Sequence, residues 1–213
     1  MRDDLSKSIS QRSDSEKDAE NNRIKQIFDE LTRRCQLYEE ESGNGKSHVN
    51  ALDIEQRVAE IYAKENQLWI PMPDLFDLGL PGPSGHENDT YVSGNNIFNV
   101  NNLLNSGGVV PLLKRVILHN IIFPETFYFF VGFTGYEGRS VMPILRQDLI
   151  KDARPATTVE IDTYMSALGF TKCSDDGKYQ NTDYIVWDVM PRNVLKDAEG
   201  DIYVVDAEIK SIC

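Results

Sequence analysis

The stretch Tyr184–Lys210, YIVWDVMPRNVLKDAEGDIYVVDAEIK, decides how the chain is read. Three strand-like runs lie in it, YIVWD, NVLKD and DIYVVD, and Ala198-Glu199-Gly200 joins the last two as a hairpin. Asp188 is followed five positions later by Asn193, and Asp206 comes thirteen after that. A carboxylate at the start of a tight loop and a carboxamide at its end can converge on one point. A hairpin returning from Asn193 brings a second carboxylate to face the same point. Alternation through Ile202, Tyr203, Val204 and Val205 puts the last strand in the core and leaves Asp206 at its mouth. Phosphoryl transfer needs an acceptor that orients the incoming hydroxyl, and oxygen ligands that hold Mg²⁺ against the phosphates. A turn aspartate capping Met190-Pro191-Arg192 would account for Asp188 alone. The joint spacing is what points to a site.

Upstream, TTVEIDTYMSAL at residues 157–168 predicts a helix, with Thr158 as its N-cap and Gly169 just past its end. TFYFFVGFTGYEGRSVMPILRQ reads as a strand, a glycine-containing turn and another strand. VVPLLKRVILHNIIF is apolar on most faces and predicts a buried helix that tolerates Pro111 in its first turn. TYVSGNNIFNVNN reads as two short strands around Ser-Gly-Asn-Asn. The two prolines of LWIPMPDLF exclude a regular helix or a central strand, and LGLPGPSGHEND is a glycine and proline loop. Further back, Ile54, Val58, Ile61 and Tyr62 share a face of a helix over Asp53–Asn66. Ile24, Ile27, Phe28, Leu31, Cys35 and Tyr38 form an apolar stripe on a charged helix. That stripe has two candidate partners, the rest of the domain or a second copy of the chain. Residues 1 to about 20 are rich in Ser, Asp, Lys and Glu and predict a disordered or frayed tail. Residues 21–66 then form a helical extension, and 67–213 one domain with its division near residue 147. The class is α+β.

Twenty-two basic against 34 acidic residues give a net charge of −12 with no basic stripe, which excludes nucleic acid as an expected partner. No run of about eighteen apolar residues predicts a membrane span, and MRDDLSKSIS lacks the apolar core of a secretory signal. Cys35, Cys173 and Cys213 lie far apart with no CxxC pair, which suits a reducing cytoplasm. GNGKS at Gly43–Ser47 would need glycine at position 40 to be a P-loop, and that residue is Glu40. His48, His86 and His119 have no zinc-ligand spacing.

The spacing of Asp188, Asn193 and Asp206 resembles the protein-kinase pattern DxxxxN…D, and the chain is similar to the compact kinase-like domains found in polyvalent proteins of phages and mobile elements. The pieces that carry the likeness are GPSGHENDTYV, FPETFYFFVGF, GRSVMPILRQ, EIDTYMSALGF and DVMPRNVL…IYVVDAE, spanning about residues 68–213. The resemblance implies a reduced protein-kinase-like fold. Its small lobe, an antiparallel sheet plus a helix, covers about 67–147. A short second lobe with a β-hairpin covers about 148–213, and an N-terminal helical extension precedes both. It implies ATP and Mg²⁺ as cofactors: Asp188 orients the acceptor, Asn193 and Asp206 bind the metal, Gly82 and Gly85 form the phosphate-covering turn, and Gln147 sits at the hinge where adenine docks. Glu160 begins the first helix of the second lobe.

Departures accompany the likeness. The third element of the site reads Asp206-Ala207-Glu208 in place of Asp-Phe-Gly, and Trp187 stands where kinases usually carry Arg. Asn99 falls where the phosphate-binding lysine is expected, with Lys114 and Arg115 the nearest candidate substitutes. The sequence ends seven residues after Asp206, so the large lobe is expected to be short. Three functions follow as expectations: a kinase-like module that binds ATP and Mg²⁺ with little or no turnover, an active small phosphotransferase, or a structural or interaction protein of a mobile element. The acceptor or protein partner is left open.

Overall fold

Alternating side chains in NDTYVS and NIFNVN fit a half-buried hairpin, and the chain turns tightly at Gly94, whose φ is +60°. The computed structural model describes residues 2–42 and 50–212, with side chains from 14 to 40 and from 50 onward. Gly43–Ser47 and Cys213 lie outside the described residues. The chain divides into two units, Met1–Ile117 with Tyr128–Gln147, and Leu118–Phe127 with Asp148–Cys213.

The first unit begins with α1 (Arg2–Ser42) and α2 (Ala51–Glu65), followed by a 3₁₀ segment at Met72–Leu78. Its strands are β1 (Leu80–Pro81), β2 (Asn88–Ser93) and β3 (Asn96–Asn101), then, after α3 (Val109–Ile122), β4 (Phe129–Tyr136) and β5 (Ser140–Asp148). They form one sheet in the order β1-β2-β3-β5-β4, in which β1 with β2, β2 with β3 and β4 with β5 pair antiparallel. Ile24, Ile27 and Leu31 of α1 share a core with Val58 and Tyr62 of α2, Leu112 of α3 and Phe133 of β4. The apolar stripe of α1 is therefore buried within the chain, and the two N-terminal helices are part of this unit rather than an appendage. Beside β4, Trp69 makes a single bridge to Phe133, and the Leu68 carbonyl accepts the Phe133 N–H at 2.8 Å. A Cβ on Gly132 would stand 2.5 Å from that carbonyl oxygen, so this close approach requires glycine.

Helix α1 runs from Arg2, where composition predicts an unstructured tail. The span is tied down near its end: Glu20 accepts the Phe130 N–H at 2.9 Å, and Arg23 donates to the Phe130 carbonyl at 3.0 Å. A polar helix needs few apolar contacts when its charged side chains pair with one another and with a strand terminus. The start of α3 is held in a similar way, since Glu55 of α2 accepts the N–H groups of Val109 and Val110. Burial pushes the Glu55 carboxyl above its ordinary range, while those two donors pull the other way.

The second unit contains β6 (Arg154–Pro155), α4 (Thr158–Ala167), β7 (Thr171–Ser174), β8 (Lys178–Gln180), β9 (Tyr184–Trp187), β10 (Val194–Lys196), β11 (Ile202–Val204) and β12 (Glu208–Ser211). They make two antiparallel sheets, β11-β10-β6 and β12-β9-β8-β7. Ile161 and Met165 of α4 pack on Val186, Val194, Val204 and Ile209 from both sheets. The β10–β11 turn is closed by Asp197, whose Oδ1 accepts the N–H groups of Gly200 and Asp201, each at 2.8 Å. The class is α+β, with small antiparallel sheets behind an N-terminal helical region.

The N-cap of α4 is Thr157, one residue before the predicted Thr158. Thr157-Thr158-Val159-Glu160 is a capping box: Thr157 Oγ1 accepts the Glu160 N–H, and Glu160 Oε2 accepts the Thr157 N–H at 2.8 Å. Arg154 of β6 and Lys196 of β10 both reach the same carboxylate. The Arg154 guanidinium, then Lys196 and the Thr157 N–H, hold Glu160 far below the ordinary carboxyl value of 4.5. An acid depressed by folding stabilises the folded chain above its unfolded pKa, and that contribution is lost as pH falls toward the folded value. The melting temperature of wild type should therefore exceed that of Glu160→Gln at neutral pH, and the gap should narrow once pH drops below 4.5. Parallel curves down to pH 2 would contradict this role for Glu160.

Candidate functional site

Strand β9 ends at Trp187, and the chain leaves it through Asp188 with φ +63°, a left-handed conformation that Asp tolerates better than most residues. A tight loop follows. Met190 donates its N–H to the Asp188 carbonyl at 3.0 Å, and Asn193 donates its own to the Met190 carbonyl at 2.8 Å. The Asn193 side chain closes the loop, with Nδ2 donating to the Asp188 backbone oxygen at 2.9 Å and to Asp188 Oδ2 at 2.8 Å. Asp188 and Asn193 are thus brought together as their spacing predicts.

Asp206 reaches this loop through two backbone pairings. Val205 donates to the Asn193 carbonyl at 2.9 Å, and Glu208, the first residue of β12, pairs with Trp187, the last of β9. Asp206 lies between these two pinned positions, next in sequence to the residue bonded to Asn193. Each polar member also has a buried apolar neighbour in the chain, Val189 beside Asp188, Val194 beside Asn193 and Ala207 beside Asp206. Burial of the neighbours sets the direction of the polar side chains. Ala207 is small because it sits in this core, and the segment after it runs directly into β12.

Three contacts at the site were outside the sequence expectations. Arg192 forms an ion pair with Asp188, with the guanidinium side chain 64% and the carboxylate side chain 34% exposed. Pairs so open to water contribute little, up to about 1 kcal/mol, so a ligand can displace this contact at small cost. Gly177, in the Asp175-Asp176-Gly177 turn between β7 and β8, accepts the Val189 N–H on its carbonyl at 3.1 Å. Its φ is +76°, and a Cβ there would stand 2.7 Å from the Val189 oxygen. An Asp-Asp-Gly run between two short polar strands is the signal that could have revealed that hairpin. Thr126, just after α3, donates its hydroxyl to the Val204 carbonyl at 2.6 Å, two residues before Asp206.

The remaining candidates lie in the first unit. Gly82 and Gly85 occupy the β1–β2 connection, and both amides are bonded within it, Gly82 to the Thr90 carbonyl and Gly85 to the Asn88 carbonyl, each at 2.9 Å. A Cβ on Gly82 would meet Thr90 Oγ1 at 2.7 Å, so this glycine serves packing of the turn. A Cβ on Gly85 would meet nothing within 4 Å, which leaves open space at that backbone. Gln147 is buried, and its Oε1 accepts from Asn99 Nδ2 at 3.3 Å. The residue at the expected lysine position therefore meets the hinge candidate. Lys114 is exposed, and Arg115 pairs with Glu87 at 3.3 Å.

Among the described residues, no group of three or more His, Cys, Asp or Glu side chains could hold a metal ion. The candidate set is of another kind, two carboxylates and a carboxamide. Asn193 commits its amide nitrogen to Asp188, so its oxygen is the atom with lone pairs to give. Mg²⁺ takes oxygen ligands, uses one or two carboxylates and completes its shell with water and phosphate oxygens. The donor chemistry fits that ion. Gly177→Ala should lower the melting temperature and shift the amide resonances of residues 188–190, since both the left-handed backbone and the Val189 oxygen oppose a methyl group. Unchanged resonances there would show that the turn does not support the Asp188 loop.

A family model for a serine/threonine/tyrosine kinase found in polyvalent proteins matches residues 53–211. No curated protein and no solved structure matches the chain. The match takes in α2 as well as both units, and so begins earlier than the stretches of likeness read from the sequence. No helix among the described residues is long and apolar enough to cross a membrane. With Asp188, Asn193 and Asp206 all inside the matched span, the chain belongs to the family of serine/threonine/tyrosine kinases found in polyvalent proteins.

Proposed function

We propose that the chain is a kinase-like module that binds ATP with Mg²⁺ and turns it over slowly or not at all. Asn193 and Asp206 would hold the metal, and Asp188 would be the group facing a phosphoryl acceptor. The observation that carries this is the coupling through Asn193. Its side chain holds Asp188, and its carbonyl takes the N–H of the residue before Asp206. An ion held by Asn193 and Asp206 would offset the negative charge of the phosphates. Within the first unit taken by itself, Gly85 has the open space at its backbone that a phosphate-covering turn needs, and Gln147 is the proposed contact for adenine.

Weak turnover follows from position 99. Asn99 carries no charge and bonds to Gln147. Loss of a charge-assisted phosphate contact costs on the order of 1.5 to 3 kcal/mol. Arg115 does not replace it in this arrangement, because Glu87 takes its guanidinium. A second reading, an active phosphotransferase, is favoured by Arg192, which brings an exposed positive charge beside Asp188.

Thermal melting with and without ATP and Mg²⁺ tests the proposal. A ligand at 100-fold its dissociation constant should add about 2.7 kcal/mol, which for a chain of this length raises the melting temperature by roughly 5 to 11 °C. Asp206→Ala should lose the Mg²⁺-dependent part of the shift. No shift in wild type would overturn nucleotide binding. Steady ATP consumption by wild type that Asp188→Asn abolishes would establish the second reading instead.

A further inference from the structure

Glu87 is a buried carboxylate in the connection that carries Gly82 and Gly85, and the mechanism above gives it no part. It is 6% exposed, and four groups from beyond β3 converge on it. Ser106 Oγ donates to its Oε1 at 2.8 Å, Asn105 Nδ2 to its Oε2 at 3.2 Å, and Arg115 Nη2 of α3 to its Oε1 at 3.3 Å. Its own carbonyl accepts the Asn102 N–H at 2.9 Å. The Arg115 side chain is only 11% exposed, so both members of the ion pair are largely withdrawn from water. Next to it, Asn102 Nδ2 donates to the His86 carbonyl and Asn101 Nδ2 to Asn88 Oδ1. The 82–88 connection is therefore fastened to α3 and to the segment leading into it, all within the first unit.

Protein kinases couple a strand lysine to a glutamate on the following helix, and both must be in place for activity. Here the strand position holds Asn99, the helix holds the cation and the acid lies in the turn. We propose that Glu87 and Arg115 are the positioning pair of this site with the polarity reversed, and that they fix the 82–88 turn so that it can receive the phosphates of ATP. This rests on the nucleotide-binding reading above. The pair has excellent support from its surroundings, because Ser106 and Asn105 saturate carboxylate lone pairs that would otherwise be buried without partners. Removing the Glu87 charge weakens three converging side-chain contacts at once, from Ser106, Asn105 and Arg115, so the turn should loosen rather than merely lose one contact.

The test uses the full chain as wild type, Glu87→Gln and Arg115→Lys, with hydrogen exchange across residues 82–88 and dissociation constants for ATP–Mg²⁺ and for adenosine. In Glu87→Gln, the Gly82 and Gly85 amides should exchange faster and ATP should bind about tenfold more weakly or worse. Adenosine, which has no phosphates, should bind within about twofold of wild type. Arg115→Lys keeps a positive charge facing Glu87 and should lose less ATP affinity than Glu87→Gln. Equal weakening of ATP and adenosine, with faster exchange throughout the first unit, would mean a purely structural pair and would overturn the proposal. So would unchanged exchange and affinity in both variants. If wild type binds neither ligand, the nucleotide reading fails and with it the phosphate role of the turn. Exchange at Gly82 and Gly85 then still decides whether Glu87 fastens it.

Discussion

The hydrogen bond from the Val205 N–H to the Asn193 carbonyl sets the register on which the second unit depends. It continues the β10–β11 ladder, in which Val194 pairs with Val204, and it fixes which residue leaves the hairpin first. Strand side chains alternate, so a slip of β11 by one residue would turn Val204 out of the core and carry Asp206 away from Asn193. Both valines are fully buried against α4, and this burial is what holds the register. The pairing of Glu208 with Trp187 closes the other side. The placement of Asp188, Asn193 and Asp206 thus comes from apolar packing at the adjacent positions, with the polar residues carried along by the pleat.

The acidic balance of the chain looks different once its carboxylates are placed. Glu20 accepts an N–H at the start of β4, Glu55 at the start of α3, Glu60 in the β4–β5 turn at Gly138, Glu160 at the start of α4 and Asp197 in the β10–β11 turn. Each satisfies a backbone donor that secondary structure leaves unpaired. A good part of the −12 charge therefore serves as local fastening, distributed over both units. Glu87 fastens in a related way through side chains, tying the 82–88 connection to Ser106, Asn105 and Arg115.

Much of the second unit was legible because its signals are local. The three strand-like runs, the hairpin at Ala198–Gly200 and the Asp188–Asn193 loop depend on residues within a few positions of one another. Strand β12 was not legible, since EIKS has no strong alternation and forms only because β9 offers an edge. The N-cap at Thr157 was misplaced by one residue although Glu160 three positions on marks it. The membership of α1 in the first core depends on residues far along the chain, among them Leu112 and Phe133, and Glu20 meets Phe130 more than a hundred residues away. Gln147 meeting Asn99, Arg115 meeting Glu87 and Gly177 supporting Val189 are likewise products of the fold, and no spacing rule announces them.

In the proposed site Asn193 and Asp206 hold the metal, with Asp188 fastened beside them through the Asn193 side chain. Mn²⁺, which shares the oxygen-ligand preference of Mg²⁺, broadens nearby amide resonances, so a titration in the presence of ATP reads the site directly. Residues 188–193 and 205–207 should broaden first and together, and Asn193→Ala should remove the effect. Broadening spread over the acidic surface, with these residues no more affected than the rest, would contradict it.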